Sequence, residues 1–323
     1  MKAGVESAES RIIASSIGET ALTRLSTTRD GTVQSVFERA INIQLQGGLV
    51  SIVTEAAEMG PLNINLRLPG GSKFPASGLA VDAEVRVAGS TLKLPNGTTV
   101  EFGSARTYAP RGRLAYPLLT ADKLEANLEA MRSAAIRCGN LAGLGELIGL
   151  MAPKTQVASF ERLNLFSSAA VKRIVGMENA LRARDTRAVS EAVGGIVGLG
   201  PGLTPSSDDM LAGLVLLCSV FAKNGGRVLG PRELVAALED TPITGKTTTL
   251  SSEFLKQVAM GVGNEPVMSL CAALLTQGPA SVETKTNRVL SAGETSGTDT
   301  VLGLCLGMRL CTGGSSGLEL GSA

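Results

Sequence analysis

The sequence predicts an α+β protein: an N-terminal β-rich barrel or sandwich over residues 1–115, then an all-α domain over 116–323 with buried central helices. Two observations carry this. Short runs of alternating apolar and polar residues fill the first hundred positions, and a period of two is the mark of half-buried strands. From Thr120 onward the period becomes helical, with glycine or proline between segments.

The strands come first. Val33-Gln-Ser-Val-Phe-Glu-Arg-Ala-Ile-Asn-Ile-Gln-Leu45 alternates in part, and Leu49-Val-Ser-Ile-Val-Thr54 follows a Gly47-Gly48 turn. Asn63-Ile-Asn-Leu-Arg-Leu68 alternates cleanly and stops at Pro69-Gly70-Gly71. Val81–Val87 is another such run, and Asn96-Gly97 sits between two short strands as a hairpin turn. Many short strands at this spacing point to a small barrel or sandwich. Ala109-Pro-Arg-Gly-Arg113 reads as the boundary, a polar loop of the kind that runs over a surface.

Helices are expected from Thr120 to about Arg137, then near 143–151, 159–184 and 186–196. More follow at 205–223, 231–239, 247–260, 266–276, 280–291 and 297–311. Met210 to Ala222 is apolar on nearly every face, so that helix belongs inside the domain rather than on its surface.

Composition narrows the chemistry. The chain has 323 residues, 44% of them hydrophobic, with 30 basic and 29 acidic side chains. A net charge of +1 gives no electrostatic footprint for nucleic acid or for a membrane surface. The five cysteines are an odd count without a C-x-x-C pair, as in a reduced, cytoplasmic protein. The longest apolar run falls short of the ~20 residues a bilayer requires. Histidine is absent, which removes Ser-His-Asp and Cys-His catalysis and most zinc sites. Acid–base work must fall to Asp, Glu, Lys, Tyr, Cys, a bound metal or the substrate.

The functional signal lies in Gly198-Leu-Gly-Pro-Gly-Leu-Thr-Pro-Ser-Ser-Asp-Asp-Met-Leu-Ala-Gly213. Gly200 and Gly202 let the backbone approach a ligand, Thr204 is an expected N-cap, and Pro205 suits a first helical position. Unpaired N–H groups at a helix start attract anions, and Ser206 and Ser207 add hydroxyls there. Asp208 and Asp209 either favour the helix start or hold a cation such as Mg²⁺. Ser206-x-x-Asp209-x-x-x-Gly213 is echoed by Ser296-x-x-Asp299-x-x-x-Gly303. The echo predicts two helices crossing near Gly213 and Gly303, with both N-termini at one anion site and Ser296 and Gly297 facing the glycine loop. Thr248 and Ser251 are candidates to point hydroxyls into the same place. The plainer alternative is a pair of well-made caps. Two decoys fail on spacing: Gly245-Lys-Thr has Asp240 where a P-loop requires its first Gly, and Gly198-x-Gly-x-Gly is not G-x-G-x-x-G.

Gly200–Asp209, Thr247-Thr-Thr-Leu-Ser251 and Gly293-Glu-Thr-Ser-Gly-Thr-Asp299, in that order, resemble the DUF2877 family, which includes the H subunit of oxamate carbamoyltransferase from anaerobic allantoin degradation, a branch of purine catabolism. Val36–Ile43 and Gly60–Asn63 are similar to that family's opening strands. Ser207 and Glu294 depart from the pattern, standing where Gly and His are usual. The resemblance implies carbamoyl transfer between oxalurate and phosphate, giving oxamate and carbamoyl phosphate, by a complex of three different subunits. Gly200, Gly202, Thr204, Ser206 and Ser207 would then bind phosphate, carbamoyl phosphate or a carboxylate. Asp208, Asp209 and Asp299 would hold Mg²⁺ or orient a substrate amide. Two other classes remain open: a metal-dependent amide or phosphate-ester hydrolase, and a non-catalytic binding or assembly subunit.

Overall fold

A computed structural model describes residues 10–68, 73–74, 78–151, 163–227, 231–240, 243, 245–313 and 318. The Pro69–Gly71 turn and residues 159–162 of an expected helix lie outside them. The chain divides into two compact units, Met1–Pro110 and Arg111–Ala323.

The first unit is built on β1 (Arg11–Gly18), β2 (Asp30–Val36), β3 (Ala40–Leu45), β4 (Gly48–Thr54), β5 (Asn63–Leu66), β6 (Glu84–Ala88), β7 (Thr91–Lys93), β8 (Thr99–Glu101) and β9 (Arg106–Tyr108). The order is β5-β4-β3-β2-β6-β7-β8-β1-β9, and β1 also pairs with β5. That pairing closes eight strands into a barrel, which leaves no long free edge. β1 makes the closure by carrying three partners: Ala14 lies opposite Leu66 of β5, Ile12 beside Val100 of β8, and Ile17 beside Thr107 of β9. Its register shifts between Ala14 and Ser16, a bend that suits a strand turning from one neighbour to the next. Ile41, Ile43, Val50, Ile52 and Ile64 fill the barrel core, at alternate positions along each strand. The sequence reading missed β1, β9 and the helix α1 (Glu19–Thr27). α1 is short and polar on average, with only Ala21 and Leu25 buried, so it offers few apolar positions to mark it.

The second unit is all helix: α2 (Ala121–Cys138), α3 (Leu147–Leu150), α4 (Leu165–Ala183), α5 (Thr186–Ile196), α6 (Ser206–Lys223), α7 (Pro231–Asp240), α8 (Thr249–Ala259), α9 (Glu265–Thr276), α10 (Pro279–Leu290) and α11 (Ser296–Thr312). α6 and α11 form its centre, each buried along nearly its whole length. The helix expected over 143–151 shrinks to the single turn of α3. Gly139, Gly143 and Gly145 instead make the preceding stretch a loop packed on α11. Among the described residues, no helix is long and apolar enough to cross a membrane.

Candidate functional site

The duplicated pattern determines how α6 and α11 meet. A Cβ on Gly213 would stand 2.2 Å from the Thr300 carbonyl oxygen, and one on Gly303 would stand 1.9 Å from that of Met210. Only glycine allows this approach. The partners run in the same sense, with Gly213 against Thr300 and Leu304, and Gly307 against Leu214 and Leu217. The helices are therefore parallel, and they begin side by side: Thr204 Oγ1 and Ser296 Oγ are 3.0 Å apart.

α6 starts one residue later than expected. Pro205 is its N-cap rather than its first residue, and Thr204 makes no capping bond. The Asp208 and Asp209 N–H groups donate to the Pro205 carbonyl, and the Ser207 N–H donates to that of Leu199 at 3.0 Å. Part of the amide cluster expected to meet an anion is thus engaged within the chain.

Asp208 and Asp209 adjoin in sequence but face different neighbours. Asp208 is 1% exposed. Its carboxylate accepts from the Gly198 N–H at 2.8 Å, from Ser251 Oγ at 2.7 Å and from Thr247 Oγ1. Ser207 Oγ accepts from the Leu199 N–H at 2.9 Å. Thr248 Oγ1 accepts from the Ser251 N–H at 3.0 Å, capping α8, and donates to the Leu203 carbonyl. Asp208, Ser207, Thr248 and Ser251 therefore hold the glycine loop to α6 and α8. Gly198 and Gly200 serve the same packing, with positive φ and no room for a side chain against Lys246 or Ser206. Gly202 has open space around it. Gly297 packs on the Val289 carbonyl of α10 and does not face the loop.

Asp209 turns toward α11. It is half-buried beside Thr204 and Ser296. Burial lifts its carboxyl well above the usual aspartate range; the Ser296 and Thr204 hydroxyls oppose the rise, and the charges of Asp299 and Asp208 add to it. Asp299, fully buried, is also raised by burial, against the Leu144 N–H and the Ser206 and Thr295 hydroxyls. The Leu144 N–H donates to Asp299 Oδ1 at 2.7 Å. Ser206 Oγ lies close to this carboxylate, yet it makes no hydrogen bond of normal geometry, and neither do Asp209 Oδ2 and Asp299 Oδ2. Three buried polar atoms without partners at the start of two parallel helices are an unusual concentration, since nearly all such atoms in proteins are satisfied.

This donor set does not suit a resident cation. Both Asp208 oxygens accept from the chain itself, and Asp209 turns to a different neighbour, α11. Among the described residues no three His, Cys, Asp or Glu side chains group as a metal site. Asp208 and Asp209, offered by the sequence as an Mg²⁺ pair, face different neighbours here, since successive helical residues point about 100° apart.

The loop 139–145 escaped the sequence reading, although Gly139-Asn-Leu-Ala-Gly-Leu-Gly145 was a visible signal of backbone close to something.

Two family models match the chain: that of the oxamate carbamoyltransferase subunit AllH over residues 196–308, and that of the AllH family N-terminal domain over residues 13–107. The first stretch runs from the glycine loop through most of α11; the second is the barrel. No solved structure matches at a significant level. The matched stretches take in both halves of the duplicated motif and most of the chain, which belongs to the AllH family of oxamate carbamoyltransferase subunits.

Proposed function

We propose that this chain is the subunit of an oxamate carbamoyltransferase complex that holds the small substrate where α6 and α11 begin. The observation that supports this reading is the set of partnerless oxygens on Ser206, Asp209 and Asp299. In the reaction, the carbamoyl C–N bond of oxalurate breaks and a C–O bond to phosphate forms. The proton of the attacking phosphate ends on the nitrogen of the departing oxamate. Substrate amide groups need acceptors, which carboxylates provide. The carboxylate or phosphate end is drawn to the hydroxyls of Thr204 and Ser296 and to the positive ends of two helices.

Asp209 is the residue suited to carry the proton. It is half-buried and reaches the surface beside Thr204 and Ser296, and burial raises its pKa well above the ordinary aspartate range, toward what a general acid needs. No histidine competes for the role. The other subunits of the complex complete the site in this reading.

The test is turnover of the reconstituted complex with Asp209→Asn. General acid catalysis is worth about a hundredfold or more, so a loss of that size in kcat is expected. Ser296→Ala should mainly raise KM. Unchanged turnover in the Asp209 variant refutes the catalytic part. Retained substrate binding with unchanged turnover would leave a binding or assembly subunit.

A further inference from the structure

We propose that the loop 139–145 positions Asp299 for the ligand, and that the niche it forms with Ser206 selects a hydrogen-bond-donating amide over a carboxylate. The inference rests on the reading that the ligand lies at the start of α6 and α11. The loop belongs to neither stretch matched by the family models.

The geometry is specific. A Cβ on Gly143 would stand 2.5 and 2.6 Å from the two Asp299 carboxylate oxygens and 2.7 Å from Ser206 Oγ. Glycine is thus the one residue that lets the backbone lie flat against this carboxylate. The next residue, Leu144, donates its N–H to Oδ1. A charge-assisted bond of this kind is among the stronger and more directional ones. It fixes the plane of the carboxylate and leaves Oδ2 beside Ser206 Oγ, on residues no more than 1% exposed.

The loop is itself held from outside. The Asn140 N–H donates to Thr298 Oγ1 at 3.0 Å, and Asn140 Oδ1 accepts from the Ala142 N–H at 3.1 Å. Asn164 Nδ2 donates to the Gly143 carbonyl at 2.9 Å. Asp299 therefore cannot swing to satisfy its second oxygen without undoing the loop. Held with only the poorly aligned Ser206 hydroxyl beside it, Oδ2 favours a ligand that brings a well-placed donor. A ligand carboxylate brings a second negative charge and no proton, and like charges in a buried place repel. Oxamate and oxalate differ in just this respect, an amide against a carboxylate at nearly equal size.

The test is calorimetric binding of oxamate and of oxalate to the full chain and to Gly143→Ala, Asp299→Asn and Asn140→Ala. The wild type should prefer oxamate. Gly143→Ala should weaken oxamate about tenfold, leave oxalate nearly unchanged and so erase the preference. Asp299→Asn should do the same without touching the loop. If Gly143→Ala does not fold, by circular dichroism, Asn140→Ala takes its place, since it loosens the loop without adding an atom near Asp299; a loss of oxamate affinity of about threefold is then expected. Full affinity and preference in the loop variants, with loss in Asp299→Asn, overturns the positioning role and leaves the site. Failure of the wild type to bind oxamate, alone and with its partner subunits, overturns the site reading instead.

Discussion

Gly303→Ala is the substitution that tests the geometry most directly. The new methyl would lie 1.9 Å from the Met210 carbonyl oxygen and 2.8 Å from the Leu214 nitrogen, both of them backbone. Neither can rotate away. Ordinary contact begins near 3.4 Å, so α6 and α11 must part by roughly 1.5 Å to admit it. That opens the packing around Met210, Leu214, Leu302 and Leu304, all of them fully buried. Overpacking of this kind costs about 1–3 kcal/mol, and more where backbone must move. Alanine returns about 1 kcal/mol through its better helix propensity. A net loss of about 2 kcal/mol lowers Tm by roughly 4–8 °C in a unit of this size. The control is Gly176→Ala in α4, where an added Cβ meets nothing within 4 Å. There the propensity gain stands alone, and stability should rise by about 0.5–1 kcal/mol. Thermal unfolding followed by circular dichroism at 222 nm distinguishes the two. If Gly303→Ala matches or exceeds the wild type, the close parallel crossing is wrong, and with it the shared start of the two helices.

Two further outcomes follow from burial. Asp209 has a native pKa raised above its unfolded value, so the native state binds its proton more tightly; its contribution is fully present below about pH 4 and is lost as pH rises through the native pKa. Asp209→Asn should therefore raise Tm at neutral pH and flatten the decline seen on going from acid to neutral, and parallel Tm-against-pH curves for the two proteins would count against the buried placement. All five thiols are free, but only Cys138 is exposed; burial pushes Cys271 and Cys305 up to about 12 and raises Cys311. A thiol reagent should label one equivalent quickly and the other four only on unfolding, and two or more fast equivalents would contradict the packing around α6, α9 and α11.

Much of the fold was legible because the period of apolar residues is local information. Short apolar runs marked β2 to β8, with β2 and β3 merged into one stretch over Val33–Leu45, and the Asn96-Gly97 pair marked the β7–β8 turn. α2, α5 and α10 fall within a residue or so of where their caps and punctuation put them. β1 and α1 were missed for an equally physical reason. β1 takes three strand partners at once, so its exposure pattern departs from simple alternation, and the short polar α1 buries two residues. The glycines of loop 139–145 sit among apolar residues with helical spacing, and only contact with Asp299, Ser206 and Thr298 explains why no side chain is tolerated there.

What the sequence determined by itself is the pair of apolar helices, each opened by Ser-x-x-Asp and notched by a glycine one turn later. That much is written in spacing, because i and i+4 share a helix face whatever surrounds it. The tertiary structure decided which acid does what. Asp208 and Asp209 differ by a single step along α6, and a step of about 100° sends one to the Gly198 loop and α8 and the other to α11. The identity of the neighbour on each side is a property of the packed domain, since those donors and acceptors come from segments tens of residues away that only folding brings within hydrogen-bonding reach.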